Sequence, residues 1–71
     1  MTREDALSRA NDCARQAAIA TDRDIQVLWG GLRKLWLALA KFRDELGAGF
    51  DSEYARLQEL QLSAPTSKVF H

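Results

Sequence analysis

The stretch that decides the fold runs from Ile25 to Leu46 and reads IQVLWGGLRKLWLALAKFRDEL. Large apolar residues recur in it at alternating steps of three and four, namely Ile25, Leu28, Leu32, Leu35, Leu39, Phe42 and Leu46. This period of 3.5 residues is typical of helices that pack against each other along a stripe. The seven residues, called the heptad stripe below, predict a long amphipathic helix over about 22–46.

Helix signals also flank this central segment. Thr2 and Asp5 form a pattern that resembles a capping box, and no Gly or Pro follows before Thr21, so a first helix is expected over about 3–20. The segment 47–49 reads Gly-Ala-Gly and predicts a helix stop with Gly47 as a left-handed cap. A third helix is expected over about 51–62. Asp51 or Ser52 would cap it, with Phe50 as a hydrophobic staple.

Two local features leave alternatives open. Thr21 and Asp24 repeat the Thr-x-x-Asp pattern, which either caps a second helix or lies inside one helix that runs from 3 to 46. Gly30 and Gly31 form a turn, a kink or a site where another backbone comes close. A glycine inside a helix costs roughly 1 kcal/mol relative to alanine. The apolar period continues unbroken across both glycines, which favours the interpretations in which they lie inside a helix.

The predicted fold class is all-α, a small bundle of two or three helices built around the long central helix. Residues 1–62 form a single helical domain, and residues 63–71 are expected to be a flexible C-terminal tail. A chain of 71 residues buries only about 60% of its unfolded surface, so its core is marginal. Cys13 and His71 are the only residues of their kinds, which argues against a disulfide or a structural metal. Self-association or a protein partner is the remaining way to add stability.

The charge of the chain bears on whether it binds nucleic acid or a membrane surface. Ten basic and ten acidic residues balance, so global charge does not predict a nucleic-acid partner. The segment 25–43 nevertheless contains Arg33, Lys34, Lys41 and Arg43 and no acid. A small DNA- or RNA-binding protein that uses this basic face, 33–43, is therefore the alternative hypothesis. Binding to a membrane surface is not expected, because the stripe is too apolar and too regular to prefer it to helix packing.

Residues for catalysis are nearly absent. The lone terminal histidine cannot pair with an interior nucleophile, and the acidic pairs of the sequence are typical of helix ends and surfaces. Neither glycine cluster matches a nucleotide-binding fingerprint. Cys13 is interpreted as a small helix residue rather than a reactive thiol. We therefore expect that the protein is not an enzyme and that it binds no cofactor and no metal.

The aromatic flank of the central helix predicts a contact surface. Trp29 and Trp36 are seven residues apart, beside the heptad stripe, and Trp and Arg are favoured anchors of protein interfaces. The predicted partner-binding residues are Trp29, Leu32, Arg33, Trp36, Leu37 and Arg43. The alternative is that both tryptophans simply complete the core of a three-helix bundle.

The sequence-based hypothesis is a small non-enzymatic interaction protein. It would present an apolar helix face to another protein, or to a second copy of itself as a homodimer. Regulators such as inhibitors or antiactivators of a transcription factor or enzyme, and small adaptors or chaperones, act in this way. A polar N-terminus without a signal peptide and a single cysteine predict a cytoplasmic protein.

Overall fold

The computed structural model describes residues 1–65 and consists of helices and connecting turns in that range. Its elements are α1 (Arg3–Ile19), α2 (Arg23–Lys41), α3 (Arg43–Leu46) and α4 (Gly49–Ser63). The predicted all-α bundle is confirmed. The main difference is at the central helix, which divides into α2 and the single turn α3. Residues 66–71, most of the predicted tail, lie outside the described range.

Helix α1 begins where the sequence predicted. The Thr2 Oγ1 accepts from the Asp5 N–H at 3.2 Å, and the Thr2 N–H donates to Asp5 Oδ2 at 2.8 Å, so the capping box is complete. Hydrogen bonds with Thr2 lower the pKa of Asp5 because they favour its charged form, and the bond to the Thr2 backbone has a larger effect than the bond to its side chain. The helix ends at Ile19, and Ala20 is extended.

Separate helices precede and follow Thr21. Asp22, not Thr21, caps α2, since its Oδ1 accepts from the backbone N–H of Asp24 at 2.8 Å and of Ile25 at 3.4 Å. Within α2, Gly30 and Gly31 are helical, so the interpretation of this pair as a turn is wrong. A Cβ atom at either glycine would meet no atom of the described residues within 4 Å, so close packing among residues 1–65 does not explain the pair.

The predicted helix 22–46 breaks at Phe42. This residue has φ −99° and ψ 22°, outside the ordinary helical range. Backbone hydrogen bonds nevertheless continue across it, from Phe42 N to Ala38 O and from Leu46 N to Phe42 O, both at 3.0 Å. Gly47 then ends α3 with φ +53°, a conformation that favours glycine and fulfils the predicted stop.

Helix α4 begins earlier than the sequence suggested. It starts at Gly49 with Ala48 as its N-cap, and no side chain caps it, so the prediction of Asp51 or Ser52 as the cap is wrong. Phe50 lies in the first turn and is buried, so the prediction of Phe50 as a staple residue ahead of the cap is also wrong. An apolar anchor inside the core outweighs the lost cap, which is typically worth about 1 kcal/mol.

The core forms where three helices meet. Helix α1 contributes small side chains, α2 contributes large ones, and α4 contributes two aromatic rings and a leucine. The buried residues are Ala6, Ala10, Cys13, Trp29, Leu32, Trp36, Leu39, Ala40, Phe50, Tyr54 and Leu57. Small residues let α1 approach α2 closely, and the Arg3 Nε reaches the Ala40 carbonyl oxygen at 3.1 Å.

Candidate interaction surface

Both tryptophans lie inside the molecule. Trp36 is fully buried and Trp29 is 3% exposed. The Trp36 ring meets Tyr54 edge-on with the ring centroids 4.9 Å apart, and Arg9 donates from Nε to the Tyr54 hydroxyl at 3.2 Å. The Trp29 indole N–H donates to the carbonyl oxygen of Pro65 at 2.7 Å. Both tryptophans therefore complete the core, which was the second of the two interpretations of the sequence.

The six residues predicted to bind a partner do not share one exposed face. Trp29, Leu32 and Trp36 belong to the core, and Leu37 is partly buried against it. Arg33 is exposed, while Arg43 is half-buried with its guanidinium 4.7 Å from the Phe50 ring centroid. In this conformation the three core residues are not accessible to a partner. The large apolar side chains that α2 exposes belong to other residues, Val27, Leu28 and Leu35.

The heptad stripe is divided between the core and the surface. Leu32 and Leu39 are buried, and Ile25 is partly buried. The exposed members are Leu28, Leu35, Phe42 and Leu46. This division arises because α1 and α4 enclose the side of α2 that carries the tryptophans. The core is therefore centred to one side of the stripe, and half of the stripe lies at the edge.

An open apolar groove follows that edge, with a volume of about 360 Å³. We call it the α2–α4 groove. One wall is formed by α2, Phe42 and α3, through Leu35, Ala38, Leu39, Phe42 and Leu46. The opposite wall belongs to α4, through Glu53, Arg56, Leu57 and Leu60. Within it, Leu35, Phe42, Leu46 and Leu60 are between 36% and 49% exposed.

The polar groups of the groove lie on the α4 wall. Arg56 and Glu53 form an ion pair at 3.5 Å between Nη2 and Oε1, with both side chains reaching solvent. Exposed pairs of this kind contribute little to stability. This wall was not predicted from the sequence. The signal that could have found it is the excess of leucines, since a three-helix core of this size has no room for all of them.

The chemistry available elsewhere in residues 1–65 is limited. Burial raises the pKa of the Cys13 thiol to about 11, and the charge of Asp12 adds to the effect, so the thiol is protonated at neutral pH. In the described range no group of three or more His, Cys, Asp or Glu side chains could hold a metal ion. None of the helices between residues 1 and 65 is both long enough and apolar enough to cross a membrane.

Comparison with known protein families, with curated proteins and with solved structures found no match to this chain. The arrangement of its own residues is therefore the basis for a functional proposal.

Proposed function

We propose that this chain is a small non-enzymatic protein–protein interaction module that acts through the α2–α4 groove. Regulators, among them inhibitors and antiactivators, and small adaptors or chaperones are the roles that such a module serves. We place its action in the cytoplasm, because a single cysteine is typical of proteins in a reducing compartment. One observation carries it, namely a continuous apolar groove in which four large side chains are between 36% and 49% exposed.

The groove suits a helical ligand. Leu35 and Phe42 line it seven residues apart, and Leu28, seven residues before Leu35 and outside the groove lining, is exposed as well. This is the spacing at which one helix meets another at a shallow angle. Fully burying a leucine or phenylalanine is worth about 1.5–3 kcal/mol, so covering a half-exposed one is worth roughly 1 kcal/mol. Several such residues in one groove supply the apolar centre that a helix-in-groove contact needs.

Photo-crosslinking tests this proposal directly. A photoreactive phenylalanine derivative replaces Leu35 in the groove, and a matched variant carries it at Leu62, which is 73% exposed on α4 and does not line the groove. Both chains are produced in the cells from which the sequence comes, irradiated, and analysed by mass spectrometry. We expect a discrete protein adduct from position 35 and none from position 62. Identical adduct patterns, or no adduct from position 35, would refute the proposal.

A further inference from the structure

We propose that the occupant of the α2–α4 groove is a second copy of this chain, packed so that α2 of one copy lies on α4 of the other. This inference rests on the proposed function and names the partner at the same site. It follows from the direction of the two helices, from their opposite charges and from the length of the exposed apolar line.

Helices α2 and α4 run antiparallel. The start of α2 lies beside the end of α4, where Trp29 donates to Pro65, and the region after α2 lies beside the start of α4, where Arg43 covers Phe50. A twofold axis parallel to such a pair places each α2 against the α4 of the other copy. Every neighbouring pair in the resulting four-helix bundle is then antiparallel, the arrangement of short-loop helical bundles.

The two longest helices that line the groove, α2 and α4, have opposite charge. Helix α2 contains four basic residues and one acidic residue, whereas α4 contains three acidic residues and one basic residue. Lys34 and Lys41 of α2 are exposed, and so is Glu59 of α4. Packing α2 on the second copy's α4 brings unlike charges together. The other twofold arrangement, α2 on α2 and α4 on α4, opposes like charges along both helices.

The apolar line matches a helix-length contact. Leu28 and Phe42 are separated by 14 residue steps along α2 and its C-cap, which is about 21 Å of helix at 1.5 Å per residue. The described groove lining comes from α2, Phe42, α3 and α4, with no contribution from α1. A second copy can therefore cover the groove without displacing the closely packed α1.

The oligomeric state of the full chain and of two variants tests the inference by sedimentation equilibrium across concentration. Leu35→Glu places a charge in the groove, and Leu62→Glu makes the same change at an exposed leucine outside it. We expect the unchanged chain and Leu62→Glu to reach twice the 8.0 kDa mass of one chain. Leu35→Glu should raise the dissociation constant roughly 100-fold or more, because two such charges would be buried per dimer. Far-UV circular dichroism checks that each variant is folded.

Charge reversal tests the pairing of α2 with α4. One chain carries Lys34→Glu and Lys41→Glu, and the other carries Glu53→Lys and Glu59→Lys. Each variant alone sets like charges against each other and should dimerise about tenfold more weakly. Mixing them restores unlike pairs in the heterodimer, so the mixture should dimerise like the unchanged chain. A mixture that dimerises no better than either variant alone would refute this pairing.

Two further outcomes separate the inference from the function on which it rests. A chain that keeps the mass of one copy at every concentration, but crosslinks at position 35 to another protein, would overturn only the second copy as occupant. A dimer that is as tight in Leu35→Glu as in the unchanged chain would place the interface outside the groove, and that also overturns the inference.

Discussion

The two sides of α2 meet their neighbours in different ways. Towards α1, the contacting residues Ala6, Ala10 and Cys13 are small and at most 2% exposed. Towards α4, Leu35 and Leu60 lie on opposite walls of an open groove and are about half exposed. Small side chains allow two helices to close on each other, whereas large ones at the edge of a helix pair stay accessible. The first side of α2 is therefore closed by packing, and the second leaves large apolar side chains exposed.

Trp36→Ala should have the largest effect on stability. The side chain is fully buried between α1 and α4, and removing a large aromatic ring from a core typically costs about 3–5 kcal/mol. The matched change at the surface, Leu62→Ala, should alter the free energy of unfolding by less than about 0.5 kcal/mol. Urea denaturation measures both.

A second substitution at the same site refines this result. Trp36→Phe keeps a ring against Tyr54 and removes an indole N–H that has no hydrogen-bond partner within residues 1–65. It should therefore cost less than the alanine substitution, because a buried unpaired donor is itself unfavourable. Equal losses for Trp36→Ala and Leu62→Ala would contradict the assignment of Trp36 to the core.

Ala10→Leu should have the next largest effect. The added side chain would separate α1 from α2, and overpacking of this kind typically costs about 1–3 kcal/mol. Ala18→Leu makes the same change at an exposed position of α1 and is expected to stay within about 0.5 kcal/mol of the unchanged chain. Thermal unfolding followed by circular dichroism compares the pair. A well-tolerated leucine at position 10 would show that the α1–α2 contact is loose.

Local signals in the sequence predicted the fold well. The capping residues Thr2 and Asp5, the uninterrupted helix formers of α1 and the stop at Gly47 are each decided within a few neighbouring residues. The errors arose where tertiary packing competes with local preference. Helix α4 begins at Gly49, before the expected caps Asp51 and Ser52, because the burial of Phe50 in its first turn outweighs a capping hydrogen bond.

The site was harder to predict because periodicity identifies an apolar helix face without saying which half of it the chain itself will cover. The heptad stripe and the tryptophans together cover more of α2 than two neighbouring helices can enclose. The positions of α1 and α4 decide that Trp29 and Trp36 are buried and that Leu35 and Phe42 are exposed. Those positions depend on contacts far apart in sequence, such as Trp29 with Pro65 and Arg9 with Tyr54.

Gly30→Ala should have the smallest effect and the opposite sign. It tests whether another helix packs against α2 at Gly30 as closely as α1 packs against α2 at Ala6, Ala10 and Cys13. A Cβ atom at Gly30 would meet no atom of the part of the chain that the structure describes within 4 Å, and alanine in a helix interior is favoured by about 1 kcal/mol, so the variant should be more stable. Gly47→Ala is the matched control. Its φ of +53° disfavours any side chain, so this variant should be less stable although space is equally available. Chemical denaturation of both variants decides the point. A destabilising Gly30→Ala would mean that another backbone reaches α2 at this residue, as α1 does at the alanines and cysteine of its inner face.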